Sequence, residues 1–212
     1  MRRKALPDPP ESHRSNYITA EGYERLRDEM KFLWEKDRPT VTQAVHDAAA
    51  LGDRSENAEY IYGKKRLREI DRRLHWLKKR LESVTVVTPS QDRAGTVYFG
   101  AWVRLVSATG SEHSYRIVGP DEIDLDRGKI SMDSPLGKAL MRHNVGDEVM
   151  VKRPIGDLSY RILAAQYVPF DDDNSNAESL DASIVGATDD EVDDEIDELD
   201  ELDDADEIED DE

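Results

Sequence analysis

The chain has 212 residues, room for one or two domains around a modest core, and no cysteine, which excludes disulfides, thiolate metal sites and thiol nucleophiles. Its formal net charge of −19 is unevenly spread: residues 171–212 hold 23 acidic side chains and no Lys or Arg, leaving 25 acids against 29 bases in residues 1–170. A mildly basic body therefore carries a polyanionic tail, and the two are read separately.

Residues 1–16 are polar and Pro-rich and read as a flexible arm. Met1-Arg2-Arg3-Lys4 is not followed by an apolar run, so no signal peptide is expected. Nor does any window approach the ~20 apolar residues that span a bilayer. A cytoplasmic protein without a membrane partner is the expectation.

Thr19 is placed to cap a helix that starts at Ala20-Glu21. Tyr23, Leu26, Met30 and Leu33 follow the 3-4-3 spacing of a coiled-coil seam. Pro39 interrupts this stripe, which resumes one position out of phase at Val41, Val45 and Ala48, so a kink or break is expected near Arg38-Pro39. A second helix carries Tyr60, Gly63, Leu67, Ile70, Leu74, Leu77, Leu81 and Val84 at unbroken 3-4 spacing. Two such helices joined by a short Gly-containing turn predict an antiparallel coiled-coil hairpin over residues 17–84, with its tip at 51–60.

From Val84 the period shortens. Val84–Val87, Thr96–Phe99, Ala101–Val106, His113–Val118, Lys129–Met132, Asp147–Val151 and Leu158–Leu163 read as strands separated by turns such as Thr109-Gly110 and Gly119-Pro120. Asp133-Ser134-Pro135 opens a short helix, with Ser134 as cap and Pro135 at the first position. The fold class expected is α+β: the hairpin, then a small antiparallel β domain with one helix at 85–170. The tail, 171–212, is too charged to bury a core and reads as a disordered solubilising segment. Its sign also suits folding back on a basic surface.

The tip, Leu51-Gly52-Asp53-Arg54-Ser55-Glu56-Asn57-Ala58-Glu59-Tyr60, places two carboxylates three residues apart. One reading is a helix start, with Asp53 or Ser55 as cap and Glu56 as capping-box partner. The other is half of a magnesium site: Mg²⁺ takes one or two carboxylates together with waters and phosphate oxygens. Two carboxylates on an exposed tip make no closed cage, so such a site needs a second macromolecule to complete it. The second helix carries nine bases against two acids between Tyr62 and Arg80. Lys65, Arg68, Arg72, His75 and Lys79 form a stripe opposite the seam, which favours polyphosphate contact. Tyr60, Tyr62 and Trp76 are expected to pack within the hairpin.

Gly52–Tyr60 followed by Lys64-Lys65-Arg66-Leu67-Arg68-Glu69-Ile70-Asp71-Arg72-Arg73 resembles the bacterial Gre transcript cleavage factors, nearest the GreB branch. Phe99-Gly100-Ala101-Trp102-Val103, Arg116-Ile117-Val118-Gly119 and Ser131–Pro135 extend the resemblance, which covers roughly Tyr17 to Val168. It implies an FKBP-like C-terminal domain, and a monomer that binds the RNA polymerase elongation complex and reaches its active centre through the secondary channel. There Asp53 and Glu56 would stabilise a catalytic Mg²⁺ shared with the polymerase, so that backtracked RNA is cleaved. The chain would have no complete active site of its own. Lys65, Arg68 and Arg72 would meet the nascent RNA near its 3′ end, and Asp133, Ser134 and Pro135 would dock on the polymerase. The alternatives are a channel binder that regulates without cleavage, and a chaperone-like coiled-coil module. The arm and the tail lie outside the resemblance.

Overall fold

The computed structural model describes residues 14–51, 57–152 and 156–170. The chain enters as a two-residue strand, β1 (Tyr17–Ile18), then turns at Thr19 into helix α1 (Ala20–Phe32). Thr19 is the cap, its hydroxyl accepting from the Gly22 amide at 3.1 Å. A π-helical turn, Leu33–Asp37, continues into α2 (Arg38–Ala49), and after the tip α3 runs from Ala58 to Ser83.

No break occurs at Pro39. The helical path continues, and the widened turn accounts for the phase slip in the sequence. The Arg38 amide bonds Leu33 O, five residues back, so the turn holds one residue more than an α-turn. Pro39 has no N–H, and its ring would press on the carbonyl four residues before it in an unbroken α-helix. The hydroxyls of Thr40 and Thr42 donate to Lys36 O and Arg38 O, both at 2.8 Å, satisfying carbonyls at the irregular turn. After this one-residue insertion, Val41, Val45 and Ala48 again face the second arm.

The arms run in opposite directions, because partner numbers on α3 fall as those on the first arm rise. Glu29 meets Arg73, Asp37 meets Arg66, Val45 lies against Gly63, and Ala48 O accepts from Asn57. Between them Ile18, Leu26, Leu33, Ile70, Leu74 and Leu77 form a core. Each large apolar side chain fully buried there is worth about 1.5–3 kcal/mol. The arms hold together by this seam rather than by helix propensity, which leaves an isolated helix marginal.

The chain then forms β2 (Thr85–Val86), which pairs in parallel with β1. A five-stranded sheet follows, in the order β5-β4-β3-β7-β6: β3 is Trp102–Ser107, β4 Glu112–Val118, β5 Lys129–Ser131, β6 Glu148–Val151 and β7 Leu158–Gln166. One face of this sheet and helix α4 (Pro135–Leu140) enclose a second core containing Val103, Leu105, Ile117, Leu136, Leu140 and Ile162. The domain is α+β, but the sheet is mixed rather than antiparallel, since β5 joins β4 in parallel. The 3₁₀ turn Pro120–Glu122 and the residues after it carry the chain back beside Arg116, so that β5 runs along the last three residues of β4, which a direct hairpin does not do. Thr96–Phe99 is not a strand: Thr96 makes a single bridge to Asn144, while Val97 and Phe99 are buried.

The arm expected at 1–16 is held at its end. The Ser15 amide donates to Asp133, Arg80 bonds Ser15 O and Asn16 Oδ1, and Asn16 O accepts from the Thr85 amide. Residues 1–13 and the tail 171–212 lie outside the described residues. Among those described, no helix is long and apolar enough to cross a membrane.

Candidate functional site

At the far end of the hairpin the chain is closed by Asn57. Its Oδ1 accepts from the Tyr60 amide at 3.2 Å, capping α3, while its Nδ2 donates to Ala48 O at 2.8 Å on the first arm. The cap of α3 is therefore Asn57 rather than the expected Asp53 or Ser55. The physical reason is that Asn57 brings an acceptor and a donor at once: a carboxylate in its place could cap but has no hydrogen to donate across to the first arm. Asp53 and Glu56 themselves, with Gly52, Arg54 and Ser55, lie outside the described residues.

The tip is flanked by apolar side chains facing solvent: Leu51 is 78% exposed, Ile61 50% and Tyr62 72%. Tyr62 does not pack within the hairpin as expected, while Tyr60 is half-buried on the seam. Ile61 is hidden in the sequence because it falls one residue beside the seam position Tyr60, and Leu51 because the stripe of the first arm ends at Ala48. Trp76 does pack, half-buried against the seam with the Arg73 guanidinium 4.4 Å from its ring centre.

The bases of α3 include two sets that differ in their surroundings. Arg66, Arg73 and Arg80, at heptad spacing, turn toward acids elsewhere in the chain. Arg66 bonds Asp37 at 2.9 Å, Arg73 grips Glu29 with two bonds of 2.7 and 2.9 Å, and Arg80 bonds Asp121 at 2.7 Å. Lys65, Arg68, Arg72, His75 and Lys79 are exposed. Like charges three and four residues apart cost a few tenths of a kcal/mol per pair. Keeping them on one face therefore carries a small cost in stability. The sequence could not separate the two sets, because the acids that occupy Arg66, Arg73 and Arg80 are distant in the chain.

Asp133, Ser134 and Pro135 are brought together at the start of α4, where they differ in availability. The Ser134 side chain is buried: its hydroxyl donates to Ser131 O at 2.6 Å and accepts from the Gly137 amide at 3.0 Å. Asp133 is half-buried and accepts from the Ser15 amide at 2.7 Å, and Pro135 is exposed. Of the three, Pro135 is the one whose side chain a partner reaches without rearrangement. Among the described residues no three His, Asp or Glu side chains gather as a metal site.

Comparison with known proteins accounts for both parts of the chain. Residues 16–86 match the family described as "Transcription elongation factor, N-terminal", and residues 82–167 match "Transcription elongation factor, GreA/GreB, C-term". Transcription elongation factor GreB of Yersinia pestis is 53% identical over 168 residues, covering 79% of this chain and 98% of that protein. GreB of Pasteurella multocida is 57% identical over 143 residues, covering 68% and 90%. A solved structure, GreA factor homolog 1 of Thermus thermophilus, is 26% identical and covers 72% of this chain and 99% of that one, at a TM-score of 0.34. Matches of this extent to both halves of a chain built as a helical hairpin followed by an α+β domain have one reading: the chain belongs to the GreA/GreB family of transcription elongation factors.

Proposed function

We propose that the chain is a transcript cleavage factor. As a monomer in the cytoplasm it binds RNA polymerase through its C-terminal, FKBP-like domain, with Pro135 in the contact. It passes its coiled-coil hairpin through the secondary channel and stimulates hydrolysis of backtracked RNA. The observation that carries this reading is the cap: Asn57 closes the turn, so capping does not explain the two carboxylates at the end of a finger whose α3 alone is about 39 Å long.

Asp53 and Glu56 suit Mg²⁺ by the chemistry of the donor set: two hard carboxylate oxygens, with the remaining positions left to polymerase, water and phosphate. A bound Mg²⁺ supplies Lewis-acid polarisation of the phosphate and lowers the pKa of water. The chain's own part is to present the carboxylates at a fixed distance from the domain and to hold the extruded RNA strand with Lys65, Arg68 and Arg72. The exposed Leu51, Ile61 and Tyr62 help exclude water around the tip. With only these groups, the chain activates the polymerase's hydrolysis instead of carrying out its own.

Backtracked elongation complexes given Mg²⁺ and the wild-type chain, Asp53→Ala or Glu56→Ala test the reading. Cleavage by wild type is expected, with each variant about 10²-fold slower at unchanged polymerase affinity. Binding without cleavage by wild type would identify a channel regulator, and no binding at all would favour a chaperone-like module.

A further inference from the structure

Both arms of the hairpin are fastened at their base to one short turn of the C-terminal domain. Glu122, at the end of that turn, is 2% exposed. Its carboxylate accepts from the Thr19 amide at 2.9 Å, from the Thr19 hydroxyl, and from the Gly119 amide at 3.2 Å. Thr19 is the residue that caps α1, so one buried side chain joins the start of the first arm to the sheet domain. Gly22 makes the approach possible, because a Cβ there would overlap the Glu122 side chain.

The neighbouring Asp121 takes the other arm: its carboxylate bonds Arg80 of α3 with both side chains largely buried, and its carbonyl accepts from Arg25 of α1 at 2.7 Å. A third tie, Glu21 to Lys129 and Arg116 at 2.8 and 2.7 Å, joins α1 to β5 and β4. None of these groups lies near the tip.

From this arrangement we infer that Glu122 is a positioning residue, and that its bonds to Thr19 set the direction in which the hairpin leaves the domain. The inference rests on the cleavage reading above. Over a lever of about 39 Å, a rotation of about 5° at the base moves the tip by about 3 Å. A misplacement of 1 Å already costs up to about 10²-fold in a reaction that depends on fixed geometry. A loosened joint therefore lowers cleavage while leaving the domain's grip on the polymerase intact.

The absence of native cysteine permits a direct test. Spin labels at Glu59→Cys near the tip and Lys138→Cys on α4, both exposed, report the hairpin-to-domain distance by pulsed electron resonance. Glu122→Ala is expected to broaden that distance distribution at least twofold and to lower the maximal cleavage rate at least tenfold. The concentration giving half-maximal cleavage should change by less than threefold. Glu122→Gln keeps a buried acceptor and should recover most of both. An unchanged distribution, or a broadened one with full cleavage, would overturn the proposal. If the wild type does not cleave, the functional reading fails, and the distance measurement still decides whether Glu122 holds the joint. Should Glu122→Ala not fold, Thr19→Ala removes the hydroxyl bond to Glu122 and Asp121→Ala the carboxylate bond to Arg80. Unchanged distributions in both would likewise overturn it.

Discussion

Gly63 of α3 lies directly against Val45 of α2, so close that a Cβ on the glycine would overlap the Val45 Cγ2 methyl. The single glycine in the apolar stripe of α3 lies where the Val45 side chain leaves no room for a Cβ. Gly63→Ala gains about 1 kcal/mol of helix propensity, but overpacking costs about 1–3 kcal/mol. A net loss of about 1 kcal/mol is expected in urea unfolding. Adding Val45→Ala should recover part of it, because the two changes share one space.

The division of bases on α3 separates two neighbours, Arg72 and Arg73. Arg73→Ala breaks the two-bond contact with Glu29, but both side chains are over a third exposed, so the loss is about 0.5 kcal/mol. It should leave RNA contact unchanged. Replacing Lys65 and Arg72 together should leave the melting temperature nearly unchanged while weakening crosslinking to backtracked RNA. The salt slope of binding should then fall by about 0.7 for each phosphate no longer neutralised.

Hydrogen bonds from Lys129, and then from Arg116, lower the Glu21 carboxyl from its ordinary 4.5 to about 2. The folded state therefore binds its proton less readily than the unfolded state. The stabilisation is fully present above pH 4.5 and is lost as pH falls toward 2. Glu21 is 58% exposed, and solvent screening reduces the expected contribution to about 1 kcal/mol. The stability difference between wild type and Glu21→Gln, measured by urea unfolding, should have that size at pH 7 and vanish near pH 2.

Ser134→Ala removes a buried cap and strands the Gly137 amide. A loss of about 1–2 kcal/mol from the C-terminal domain is expected, seen as an earlier melt. Pro135→Ala, at an exposed site, should leave the melt nearly unmoved and reduce polymerase affinity. The contrast would separate a docking role from a structural one within a single three-residue motif.

What the sequence revealed best was periodic. The seam positions Leu26, Leu33, Ile70, Leu74 and Leu77 are buried, and the caps at Thr19 and Ser134 are where short polar side chains before apolar runs suggest. Contacts between distant segments were not legible. Asp121-Glu122 reads as an ordinary acidic turn, and nothing local signals that one carboxylate is buried under Thr19. The parallel pairing of β5 depends on how the chain returns after that turn, which strand periodicity does not encode. The phase slip at Val41 and Pro39 pointed to a kink or break there; the chain does not break and takes up the slip in one widened turn. Asn57 was overlooked as the cap because Asp53 and Ser55 precede it with equal propensity. The Asn57 amide bond to Ala48 across the turn decided the matter.

The pairing of β1 with β2 has one more consequence. The chain leaves the base at Ile18 and returns beside it at Val86, so everything between is a loop whose two ends are already joined. The length of the finger is thereby uncoupled from the fold of the domain. Adding or removing seven residues in each arm keeps the apolar stripes in register and moves the tip by about 10.5 Å along its axis. Reach is an adjustable dimension of this architecture, with the base serving as a fixed mount.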